Sequence, residues 1–346
     1  MLKTWLAYAM VASSRKPLLP AHELEKRHQD PAKPFFNDSS YFFGRSAEGA
    51  AMVFRFGFRQ NQPPEYWLKI KIPTFGTIQI QQLSGAYDQD FAYGNLKFTC
   101  LDIGKRWQLT YSGPVTCFGQ QPVSAHASFS FIFEATKPLV DFSHSIEPWT
   151  MAKTLAAEPW TRDFFAKLQE IRQVHYEQVG RVQGVVNIGG QDYPLDMVSV
   201  RDHSFGVRRW NTWQRHVWLT GVLDDGEAFN LSMIRYSFMP QNDLKAGFLT
   251  RGDTFDPVQN SSPFDVFDPQ NQAPPQFALD LAIGGQTRQT FRLEANVEDA
   301  FDFWMGDQAY FIREGIARFQ LGNRQGLGIA EFGFNPQTYA VPPFHY

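Results

Sequence analysis

Much of the chain alternates. In "EYWLKIKIP", Trp67, Lys69 and Lys71 stand against Leu68, Ile70 and Ile72, the period of two that marks a strand with one buried and one solvated face. "YFFGRSAEGAAMVFRFGFRQ" sets aromatic runs on either side of a Ser-Ala-Glu-Gly turn, and "NLKFTCLDIGKRWQLTYSGPV" does the same around Asp-Ile-Gly-Lys. "ASFSFIFEATKPLVDFS" supplies a further strand, ended by Pro138. The period changes in "EPWTMAKTLAAEPWTRDFFAKLQEIRQVHYEQVG", where Leu155, Phe164, Phe165, Leu168 and Ile171 recur at helical spacing. Thr161 offers an N-cap and Gly180 an end, which predicts a helix near Thr161 to Gln178. Strand patterns then return in three hairpins with Gly189-Gly190, Asp225-Gly226 and Gly284-Gly285 at their tips. "DPVQNSSPFDVFDPQNQAPPQF" reads as an irregular surface excursion.

The pattern predicts an all-β protein of two antiparallel β-barrels joined by a helical connector, because closure is how such sheets avoid exposed edges. The expected bounds are a lead-in over 1–34, a first barrel over 35–145, a connector over 146–179 and a second barrel with its tail over 180–346. With 43% hydrophobic and 16% aromatic residues in 346, two cores can be filled. A barrel of about eight strands is either packed solid or holds one small ligand, and both readings stay open at this level.

Charge removes one class of partner. A net charge of -3 carries no footprint for nucleic acid, which calls for clustered Lys and Arg. Cys100 and Cys117 have no zinc-ligand spacing and read as free thiols, with a cross-strand pair as the alternative. The start, "MLKTWLAYAMVASSRKPLLPA", has the outline of a secretory signal, but its apolar run is short and it is taken as an amphipathic lead-in helix. No stretch approaches the ~20 apolar residues of a membrane span. The expected location is cytoplasmic, with peripheral membrane contact kept open.

Candidate chemistry concentrates in "VSVRDHSFGVRRWNTWQRHVWL". Neighbours in a strand point to opposite faces, so Asp202, His203 and Ser204 cannot form a hydrolase triad. The same alternation puts Asp202 and Ser204 on one face and Arg201 and His203 on the other. Asp202 is expected to face inward, where aromatic walls would raise its pKa and suit it to general acid work. The alternative is a structural ion pair of Asp202 with Arg208 or Arg209. His203 and His216 lack carboxylates at ligand spacing, so no metal is expected. His175, Tyr176 and Glu177 form either a satisfied polar cluster or a second acid or base. Trp210, Trp213 and Trp218 read as core, or as rings around one carboxyl. Gly322, Gly326 and Gly328 lack the Gly-Lys-Ser/Thr ending of a phosphate loop and mark a bend or a close backbone approach.

"RDHSFGVRRW", preceded by "HYEQVGRVQG" and followed by "DDGEAFN", resembles the signature of the lipocalin-like double-barrel superfamily of carotenoid 1,2-hydratases, hydroxyneurosporene synthases and AttH-type proteins. The order of "SSYFFGRSAEGAAMVFRFGFR", "EYWLKIKIP", "RDHSFG" and "GLGIAEFG" is also similar to the N-terminal region of animal phosphoenolpyruvate-synthase-like proteins. The resemblance implies two lipocalin-like barrels. It also implies an aspartate that protonates an isolated alkene, which Asp202 matches. A tyrosine two residues before it in hydratase members is Val200 here. The function expected is enclosure of an apolar small molecule, isoprenoid, polyene or fatty-acyl in type, without a cofactor. Acid-assisted hydration, cyclisation or isomerisation would fall to Asp202, His175 and Tyr176, and ligand contact to Arg201, His203, Ser204, Phe205, Trp210, Trp213 and Glu177. A non-catalytic carrier and a solid structural module are the alternatives.

Overall fold

The computed structural model describes residues 1–14, 19–60, 62–80, 83, 91–119, 121–263, 274–284, 288–306 and 308–337. Helices α1 (Leu2–Ser13) and α2 (Ala21–Leu24) precede strands β1 (Phe36–Arg45), β2 (Ala51–Arg59), β3 (Glu65–Ile72), β4 (Gly76–Ile80), β5 (Phe91–Tyr93), β6 (Leu96–Asp102), β7 (Arg106–Phe118) and β8 (Val123–Ala135). After β9 (Val140–Asp141) come α3 (Phe142–Ser145), α4 (Pro148–Ala157) and α5 (Arg162–Glu170). Then follow β10 (Gln173–Ile188), β11 (Gln191–Val207), β12 (Trp213–Leu223), β13 (Ala228–Tyr236), β14 (Leu244–Arg251), β15 (Thr254–Ser261), β16 (Gln276–Ile283), β17 (Gln289–Met305), β18 (Tyr310–Leu321) and β19 (Arg324–Phe334). The chain forms two units: Leu18–Val140 with Gln173–Val207, and Met1–Pro17 with Asp141–Arg172 and Arg208–Tyr346.

The first unit is a sheet in the order β4-β3-β2-β1-β11-β10-β8-β7-β6-β5, and β4 also pairs with β7. The 13 residues of β7 make this possible: its first half pairs with β6 and its second half, from Val115 to Phe118, with β4. The sheet thereby returns on itself. Its interior is aromatic, with Phe42, Phe54, Phe56, Phe98, Trp107, Phe131 and Phe133 fully buried. The Gly189-Gly190 tip holds the left-handed backbone that a tight hairpin turn requires, with φ of 59° and 90°.

Two expectations need correction here. The helix is capped by Thr161 as foreseen, its hydroxyl accepting from Phe164 N at 3.0 Å, but it ends at Glu170 and residues from Gln173 are already strand. The first unit also does not close near 145, nor does the second begin at 180. β1 and β8 would each lack a partner there, and the long hairpin β10–β11 supplies both, β11 to β1 and β10 to β8.

In the second unit β12 to β19 close in chain order into an eight-stranded antiparallel barrel, with β12 against β19 as the seam. Val217, Leu219, Leu231, Leu249, Leu281 and Phe332 lie in its core. At the seam Gly221 faces Gly328, and an added Cβ on Gly328 would fall on the backbone of Thr220 and Gly221; this is the close approach that its glycines predict. Part of the supposed excursion is regular, since β15 covers residues 254–261 and β16 begins at Gln276, while 264–273 lie outside the described residues. The tip residue Gly285 also lies outside them. Trp5 and Tyr8 of α1 meet Trp149 of α4 edge-on, at 4.7 and 5.4 Å between centroids. Both cysteines are free thiols, and burial, with the Glu25 charge nearby, pushes the Cys100 thiol up to about 11. Among the described residues no helix is long and apolar enough to cross a membrane.

Candidate functional site

The alternation along β11 holds, and the face opposite to the expected one looks inward. Arg201 lies over the core rings of Trp107 and Phe133, at 5.4 and 5.6 Å, and His203 stands edge-on to Phe91 at 5.1 Å. Asp202 therefore points away from this core. It sits on the other face, opposite Glu177 and Tyr41 in register, with His175 Nε2 at 3.7 Å from its carboxylate. Sequence alternation separates the faces but does not say which is inner, and the aromatic wall of β7 and β8 decides it. Arg209 pairs with Glu170 at 2.8 Å, and Arg208 lies over the rings of Trp210 and Trp213. Asp202→Asn is expected to cost about 1–2 kcal/mol in denaturant unfolding, since the side chain is 18% exposed and asparagine keeps an oxygen for His175; a loss of several would point to a buried structural ion pair.

The inner face of β10 and β11 carries a connected polar cluster. Arg201 forms an ion pair with Glu25, and both side chains are almost wholly buried. Gln178 Oε1 accepts from Arg201 Nε at 3.0 Å, and Trp107 Nε1 donates to Glu25 at 2.8 Å. Two residues along, His203 Nδ1 lies 2.7 Å from the Leu24 carbonyl. A carbonyl only accepts, so Nδ1 carries the proton and Nε2 faces Asp38 Oδ1 at 2.5 Å. The Tyr176 hydroxyl donates to the same carbonyl at 2.9 Å and lies 3.0 Å from Nδ1. Burial pushes that hydroxyl far above its ordinary range, so Tyr176 is a fixed neutral donor.

Asp38 is fully buried and also accepts from the backbone N–H of His28. The His28 ring stacks on Phe205, with centroids 3.6 Å apart, and its Nδ1 is 3.7 Å from Asp38 Oδ2. Burial lowers the His28 pKa, with the Asp38 charge opposing it. His28 opens onto a pocket of about 680 Å³ lined by Arg27, Phe36, Phe58, Arg59, Pro63, Pro64 and Tyr93 among others.

The expected site residues thus divide. Tyr176, Arg201, His203 and Phe205 meet in the cluster; Asp202, His175, Glu177 and Ser204 share the opposite face. Trp210 and Trp213 belong to the second unit, where they flank His216 and Tyr310. There His216 Nδ1 meets the Tyr310 hydroxyl at 2.7 Å and Nε2 meets Glu331. Each histidine that seemed to lack an acid has one, supplied by a distant strand. Glu25, His28 and Asp38 were missed. For Asp38 a signal existed, an acid inside "FFNDSSYFF", a strand too aromatic to be half-solvated.

Comparison with solved structures places the fold. An AttH-like protein from Nitrosomonas europaea superposes with a TM-score of 0.59 at 15% identity, over 93% of this chain and 98% of that one. Kievitone hydratase from Nectria haematococca gives 0.51 at 10% identity over 92% and 96%, and CghA 0.50 at 9% over 90% of each. No curated protein matches by sequence. The narrower likeness to animal phosphoenolpyruvate-synthase-like proteins gains no support from these matches. The lipocalin-like double-barrel fold stands, and since a single family model spans residues 21–336, covering almost all of both units, the chain belongs to the family described as domain of unknown function DUF7064.

Proposed function

We propose that the chain binds an apolar small molecule in the pocket of the first unit and acts on it by acid-base chemistry from the cluster behind His28. The pocket carries this reading. Its volume of about 680 Å³ suits one small ligand, Phe36, Phe58, Tyr93, Pro63 and Pro64 give it apolar walls, and His28 in its lining lies 3.7 Å from Asp38. In this reading the His203–Asp38 pair lies behind the pocket wall, and His28, which lines the pocket with its Nδ1 3.7 Å from Asp38 Oδ2, would pass a proton from it to an alkene carbon. The π electrons form the new C–H bond, water adds to the resulting cation, and the proton that water loses returns to the pair. A barrel fold shared with a protein named as a hydratase supports this class of chemistry, for an isoprenoid, polyene or fatty-acyl substrate. Asp202 with His175 remains a second acid on the opposite face. A carrier without turnover is the other reading, favoured by Val200 in place of the hydratase tyrosine.

Displacement of a fluorescent conjugated polyene fatty acid, with native mass spectrometry of the purified protein, tests ligand capture. Gln62→Trp, in the pocket lining, is expected to weaken probe binding by about tenfold or more while leaving the melting temperature in place. A wild-type protein that captures neither probe nor copurified lipid, or a Gln62→Trp variant that binds as well as wild type, would sink the reading.

A further inference from the structure

We propose that His28, Asp38 and His203 form a binding site for a divalent transition-metal ion of the zinc class, open toward the pocket. Among the described residues, this is the place where three such side chains bring one ligand atom each within 4.8 Å of one another. Two imidazoles and one carboxylate are a donor set that zinc and its neighbours take, with further coordination positions left for water or ligand.

Three further observations favour a cation over a purely structural cluster. His28 Nδ1 is buried and makes no hydrogen bond, although it lies 3.7 Å from Asp38 Oδ2; a buried polar atom left so is costly, and a cation between them satisfies both. His203 donates its Nδ1 proton to the Leu24 carbonyl, the outer contact that metal-bound histidines make, and it fixes the tautomer that presents the Nε2 lone pair. His28 also lines the pocket, which gives an ion a way in from solvent.

The site is the one named for acid-base work, so the inference deepens that reading: an ion entering displaces the proton between Asp38 and His203 and supplies Lewis acidity in its place. The test uses no organic ligand, so its failure and the failure of ligand capture are separate results. Protein stripped with a chelator is titrated with Co(II), read by visible absorption, and with Zn(II), read by calorimetry. One ion per chain is expected, with the intense tetrahedral or five-coordinate Co(II) bands. His28→Gln, at a half-buried position on the pocket wall, and Asp38→Asn should each weaken binding by about tenfold or more, with His126→Gln as the control that does not. Circular dichroism melts confirm that each variant is folded; if Asp38→Asn is not, His28→Gln alone decides. Absence of stoichiometric binding by wild type, or affinity unchanged in folded His28→Gln, overturns the proposal.

Discussion

Glu25→Ala is expected to lower the stability of the first unit by about 3–5 kcal/mol, the cost of leaving a buried charge without its partner. The Arg201 guanidinium would remain among the rings of Trp107, Phe133 and Tyr176 with only the neutral Gln178 oxygen to meet it. Trp107 Nε1 would lose its acceptor as well. Solvent cannot repair this, because the side chains of Arg201 and Glu25 are 1% and 3% exposed. The double variant Glu25→Leu with Arg201→Met removes both charges and should recover most of the loss, since apolar replacement of a whole buried pair is often neutral or better. Urea unfolding of the three proteins measures it. A single variant within about 1 kcal/mol of wild type would show that water reaches the pair.

Gly328→Ala is expected to destabilise the second barrel by about 2–3 kcal/mol, through overpacking. Gly326→Ala, two residues earlier on the same strand, should cost much less. Neither glycine has a positive φ, so the difference is one of space. The Cβ of residue 328 would fall on the Thr220 carbonyl and the Gly221 backbone across the seam, which cannot yield without parting β12 from β19. The Cβ of residue 326 would come within 3.0 Å of Leu223 Cδ2, the end of a side chain that can turn away, and 3.1 Å of the Val222 carbonyl. Thermal unfolding monitored by tryptophan fluorescence compares them. Equal losses would place the constraint in the strand rather than at the seam.

Local pattern carried the fold a long way. Turns at 189–190 and 225–226 and the Thr161 cap are decided within a few residues, and each is where its residues predict it. The misread segment is "QVHYEQ", where Val174, Tyr176 and Gln178 alternate with His175 and Glu177. There the apolar spacing of α5 ran on into a strand too polar to announce itself. The domain boundary failed for the same reason, since the hairpin that completes the first sheet was divided between the connector and the second barrel. The site was half legible. Alternation put Arg201 and His203 together, but their partners Glu25 and Asp38 lie 176 and 165 residues away in sequence, and no short-range pattern joins such positions. The choice of inner face depended on Trp107 and Phe133, equally remote.

The interleaving of the two units governs how the protein can be made. The strand that completes the first sheet, β11, is the last of its unit to leave the ribosome and pairs with β1, the first. Between them the chain has already delivered α3, α4 and α5 to the other unit. A nascent chain ending at residue 145 therefore holds β1 and β8 with open edges, while β12 to β19 follow one another without interruption. Unfinished edges of this kind invite pairing with other chains. Expression of the first unit as a contiguous fragment should consequently yield aggregate, whereas a permuted gene that fuses residues 173–207 directly behind β8 should yield a closed sheet.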